Sequence, residues 1–82
     1  MGQNGQRLTL YELVTYRIRV QGVLDPGCSE YVGGMAISTD SEGGQYPVTT
    51  LSGQLLDQAA LLGVLNLLYN RRLPILLVEC LA

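Results

Sequence analysis

Apolar residues occupy alternate positions in the first quarter of the chain. Leu8, Leu10, Val14, Tyr16, Ile18 and Val20 are separated by polar residues such as Thr9, Thr15, Arg17, Arg19 and Gln21. A period of two predicts a strand with one dry and one wet face. Tyr11, Glu12 and Leu13 break the register, so a bend or bulge is expected near Glu12. A second strand is expected over residues 35–39, with Met35 and Ile37 on one face and Ala36 and Ser38 on the other. Residues 40–44, Asp-Ser-Glu-Gly-Gly, read as a hairpin turn leading to a third strand from about Gln45 to Leu51. Pro47 suggests an edge position for that strand, and Ser52-Gly53 suggests its end. Ahead of the hairpin, Asp25-Pro26-Gly27 signals a turn, residues 28–32 fit a single helical turn, and Gly33-Gly34 permits a sharp re-entry.

From Asp57 the spacing becomes helical. Leu61, Val64, Leu65 and Leu68 share one face, and Ala60 and Leu67 widen it. Leu62 and Tyr69 extend the apolar arc beyond the roughly 100° stripe that one sheet needs, so this flank is expected to meet something else. Asp57 suits the N-cap or the first turn, Arg71 and Arg72 the last turn, Asn70 an αL cap, and Pro74 forbids continuation. The closing residues 74–81 are apolar on both faces until Glu79, which suits an interior strand or one covered by a neighbouring subunit.

These elements predict a single small α+β domain over residues 8–82, after a disordered lead-in over residues 1–7. Its four-stranded, mainly antiparallel sheet carries one helix on one face, in the chain order βββαβ. The hairpin makes strands two and three antiparallel, and the helix should link strands three and four as parallel partners by a right-handed crossover. The favoured sheet order is 3-2-1-4, with 2-3-1-4 as the alternative.

Composition adds a constraint on what covers the domain. Of 82 residues, 48% are apolar and 15% charged, against about 25% charged in an average soluble domain. A chain this short buries only about 60–65% of its unfolded surface, which leaves too little polar surface for a comfortable monomer. A homo-oligomer follows, with a dimer favoured. The net charge is -2 and Lys is absent, so no basic stripe exists to neutralise phosphates, and nucleic acid is disfavoured as a partner. No apolar run is long enough to cross a bilayer and the N-terminal residues do not resemble a signal peptide, which together predict a cytoplasmic protein that does not enter the membrane. With His missing, most zinc and haem sites are excluded; a disulfide between Cys28 and Cys80 is possible on count, but in a reducing compartment two lone thiols are the favoured reading, one buried and one partly exposed.

Three segments carry a resemblance: residues 16–22 (YRIRVQG), 29–35 (SEYVGGM) and 57–66 (DQAALLGVLN), the last following a Leu-Ser-Gly turn. Together they resemble a widespread family of small uncharacterised bacterial proteins with a βββαβ-like layout and no assigned function. The resemblance implies a layout over roughly residues 15–80 and no activity or cofactor. This chain departs from the family at Cys28, Tyr31 and Val32, where bulky aromatics are usual, at Gln54 in place of Pro, and at Leu62 in place of His. Its residues through Val14 are extra, so residues 8–14 are candidates for oligomerisation in this version.

Candidate sites are few. Leu62, Tyr69, Leu10 and Leu13 form the expected interface set, and Arg17 and Arg19 on one strand face could grip an anion, although no glycine-rich phosphate cradle accompanies them. Asp25, Glu30, Asp40 and Glu42 match no calcium-loop spacing, and Cys28 beside Ser29 and Glu30 lacks a base and an oxyanion donor. Glu79 should either pair with Arg17 or Arg19 or lie exposed at the sheet end. The expected function is a homo-oligomeric protein-interaction module without catalytic activity or cofactor. The alternative is a binder of a small apolar or anionic ligand between helix and sheet or between subunits, with Tyr16, Tyr31, Tyr46 and Tyr69 as lining candidates.

Overall fold

The computed structural model describes residues 13–41 and 46–81. The expectations for the lead-in over residues 1–7, for Leu8 and Leu10, for the bend near Glu12 and for the tip of the 40–44 hairpin lie outside the described residues. In chain order the elements are β1 (Val14–Gln21), a 3-10 helix (Pro26–Val32), β2 (Ala36–Asp40), β3 (Val48–Leu55), α1 (Gln58–Asn70) and β4 (Ile75–Cys80). The α+β class and the order βββαβ are as the sequence predicts.

The sheet order is β2-β3-β1-β4, every neighbouring pair antiparallel. This corrects the favoured order 3-2-1-4 to its alternative. Both orders satisfy the hairpin and both leave the dry face of β1 inward, so the period-two pattern could not separate them. Since β3 and β4 both run antiparallel to β1, they lie parallel to each other, and α1 makes the connection between them.

Two readings around β3 are corrected as well. The strand is interior rather than an edge, and Pro47 stands just ahead of it, where its carbonyl accepts the Gly22 N–H at 2.8 Å. Nor does Ser52-Gly53 end the strand, which runs on to Leu55. Gly53 adopts φ +154°, opposite Tyr16, and a Cβ there would come within 3.3 Å of the Met35 Cα. The glycine is therefore a place where two backbones approach, and the ladder passes through it.

Burial follows β1 as predicted. Val14, Tyr16, Ile18 and Val20 are buried, while Arg17 and Arg19 face solvent. Leu51 and Leu55 of β3 lie on the same dry face and join Leu24, Val32, Met35, Val64 and Leu68 in one core. The 3-10 helix and α1 pack against each other over this face, the former beside β2 and the latter against β3. Asp25 caps the 3-10 helix by accepting the Gly27 N–H at 2.9 Å, and Gly33 ends it in the left-handed region.

Asp57 is the N-cap of α1: its carboxylate accepts the Ala60 N–H at 2.8 Å. The C-terminal end differs from expectation. Asn70 remains helical, Arg71 is the cap and Arg72 takes the left-handed conformation at φ 61°, so both arginines lie just beyond the last turn. The Leu73 N–H donates to the Leu68 carbonyl at 3.1 Å and the Arg72 N–H to the Tyr69 carbonyl at 2.9 Å. These are the paired bonds of a Schellman motif, with Leu73 folded back onto the core as its apolar partner.

Candidate functional site

The helix flank stands where the wheel places it. Leu62 is 61% exposed and Tyr69 is 76% exposed, one side of α1 facing solvent while Val64 and Leu68 point into the core. Leu13 is also exposed, immediately before β1. Leu10 lies outside the described residues. Arg17 and Arg19 share the wet face of β1, but Arg17 is engaged: its Nη1 donates to Glu79 Oε1 of β4 at 3.1 Å. The two residues are direct cross-strand partners, and an exposed pair of this kind contributes about 0.2–1 kcal/mol.

A second exposed apolar surface lies at the fourth strand, outside the expected interface set of Leu62, Tyr69, Leu10 and Leu13. β4 is an edge strand, which corrects the interior option for residues 74–81. Ile75, Leu76, Val78 and Leu81 are all exposed. The register explains why. Val78 lies opposite Ile18 and Cys80 opposite Tyr16, so these β4 side chains belong to the dry face of the sheet. Ile18 is completely buried there, yet Val78 remains 42% exposed. The cover made by the 3-10 helix and α1 spans the inner strands and stops short of β4. At Ile75–Leu76 the pairing with β1 shifts between Arg19 and Val20, a bulge that interrupts the edge.

The signal for this surface was present in the sequence. An apolar run on both strand faces needs cover on both faces, and each sheet order under consideration left the fourth strand with one neighbour.

The remaining candidates stay apart. Cys28 is buried in the core and Cys80 is exposed on β4, both as free thiols. Ser29 does not serve Cys28; its hydroxyl donates to the Met35 carbonyl at 2.9 Å. Asp25 is occupied as a cap, and Glu42 lies outside the described residues. Among the described residues no three acidic or thiol side chains gather as a metal-binding group. A depression of about 490 Å³ opens beside the helix C-terminus, lined by Tyr69, Asn70, Arg72, Leu73 and Pro74. It offers one cation and an aromatic ring but no pair of groups able to exchange a proton with a substrate. No described helix is long and apolar enough to cross a membrane, which says nothing of a β-barrel.

Residues 15–79 match the family model of a domain of unknown function (DUF8691). That span runs from the second residue of β1 almost to the end of β4, and the chain belongs to this family. No curated protein and no solved structure matches it.

Proposed function

We propose that this member of the DUF8691 family is a homo-oligomeric protein-interaction module, a dimer at its simplest, that acts by docking rather than by catalysis. The observation that carries the reading is the uncovered apolar strip on β4, where Ile75, Leu76 and Val78 face solvent in a chain with few charged residues. Water contact with such a strip is unfavourable by about 25 cal/mol for each Å² of apolar surface, and association removes it. The exposed Leu62 and Tyr69 flank adds a second apolar patch. A cytoplasmic setting suits the two unpaired thiols. Sedimentation equilibrium on the full chain, from low to high micromolar concentration, is expected to show a reversible dimer. A monomer throughout would overturn the self-associating reading.

The depression at the end of α1 favours a second reading, a binder of a small apolar or anionic molecule. Its volume falls within the range of about 300–1,000 Å³ typical of ligand sites, and Arg72 holds a left-handed conformation at its rim. A rise in melting temperature with a carboxylate or phosphate compound, lost in Arg72→Gly, would support it; a flat panel would remove it.

A further inference from the structure

The backbone of β4 restricts how its edge can be covered. Leu81 donates its N–H to the Thr15 carbonyl at 2.7 Å, and the Pro74 carbonyl accepts from the Gln21 N–H at 2.9 Å. In an antiparallel ladder the bonding direction alternates, so Leu77, Glu79 and Leu81 turn their polar backbone groups toward β1. Val78 and Cys80 turn theirs away, toward the open edge. A described strand thus ends the sheet with a row of N–H and C=O groups that meets no neighbour in the sheet.

Resting on the self-associating reading above, we infer that two copies join antiparallel through β4 about a two-fold axis at Val78, which makes one continuous eight-stranded sheet from two four-stranded ones. A two-fold perpendicular to a sheet keeps each side chain on its own face, so it pairs only residues an even number of positions apart. Centred on Val78, it sets Val78 against its own counterpart, Cys80 against Leu76 of the second copy, and Glu79 against Leu77 of the second copy. The outward backbone groups of Val78 then bond reciprocally.

Charge and side-chain character suit a second copy of this chain. Glu79 is the only charge on β4, and this register opposes it to a leucine instead of another carboxylate. Its charge is already balanced by Arg17 of its own chain. On the dry face, the exposed Val78 strip of one copy continues into the Val78 strip of the other. The bulge at Ile75–Leu76 ends the regular pairing, leaving about five residues, roughly 17 Å, per strand. So short a seam sits at the small end of specific interfaces, and the dimer is expected to be concentration-dependent.

The experiment pairs sedimentation equilibrium with a register probe. Val78→Lys is expected to weaken the dimer about tenfold or more while the circular dichroism spectrum is unchanged. Ser38→Lys, on the opposite sheet edge, should leave it intact. The Val78→Cys, Cys80→Ser double variant should become a disulfide-linked dimer under mild oxidation, because bonded antiparallel partners place their Cα atoms about 5.5 Å apart. The native Cys80 thiols should not link, being about 13 Å apart along the seam in this register. A wild-type dimer that survives Val78→Lys, or a Val78→Cys, Cys80→Ser variant that stays unlinked while dimeric, overturns the β4 seam and leaves the interaction reading standing. A wild-type monomer overturns both.

Discussion

The two edges of the sheet are built to opposite rules. β2 is five residues long and, apart from Ile37, carries Ala36, Ser38, Thr39 and Asp40. Its Thr39 is tied inward: the Thr39 hydroxyl is 2.9 Å from that of Thr49, and Thr49 in turn donates to the Gly22 carbonyl at 2.6 Å. Since Thr49 has one hydroxyl proton and spends it on Gly22, Thr39 is the donor between the two threonines. β4 has no comparable polar dressing. Five of its six residues are Ile, Leu, Val or Cys, and its one acid is neutralised by Arg17. A short polar edge discourages pairing with other chains, whereas an apolar edge invites it. The difference favours β4 over β2 as the side where the proposed seam forms.

The largest expected effect separates the inner strands from that open edge. Ile18 and Val78 are cross-strand partners on one face, the first fully buried and the second 42% exposed. Ile18→Ala should cost about 2–5 kcal/mol in urea unfolding. Val78→Ala should cost under about 1 kcal/mol in dilute solution and show its penalty only where the dimer is populated. Equal losses in dilute solution would mean that Val78 is ordinary core.

At the other edge, Thr49→Val removes the hydroxyl that holds both Thr39 and the Gly22 carbonyl, and should destabilise by about 1–3 kcal/mol without changing association. A neutral result would show that the polar tether does not secure β2. The helix flank comes next. Leu62→Asp with Tyr69→Ser should leave the unfolding midpoint within about 1 kcal/mol of the parent, because both side chains are exposed. The pair should weaken assembly if the flank adjoins the seam. Outright unfolding of this variant would place the flank in the core. Smallest is Arg17→Ala, expected to lose about 0.2–1 kcal/mol, with the loss shrinking in high salt as an exposed ion pair should.

How much of this was legible in the sequence varies by element. The dry face of β1 could be read residue by residue, because each of Val14, Tyr16, Ile18 and Val20 faces the same core. Asp57 was legible as a cap and Leu62 and Tyr69 as an exposed flank, since helical periodicity fixes both without reference to distant parts of the chain. Strand order was not, because it depends on which of two edges β1 and β3 choose, and the side-chain pattern is satisfied either way. Gly53 misled because a glycine at a backbone crossing looks the same as one that ends a strand. Asn70 was the better residue for an αL position, but the Schellman geometry falls two residues later, on Arg72. The apolar character of β4 was visible, whereas its exposure became apparent only once the reach of the helical cover was known.

The central place of β1 also bears on how the chain folds. Its ladder with β3 closes at Gln21 and Val48, across a connection that holds the 3-10 helix and β2, but Arg17 meets Glu79 across 62 positions. A strand that is synthesised early therefore waits for one synthesised much later before both of its sides are paired, and such distant pairing is slow. Until then, the side of β1 that β4 will occupy is an unfilled template with an apolar face, open to the β4 of another nascent chain. Misfolding by strand exchange between chains and productive dimerisation would draw on the same six residues.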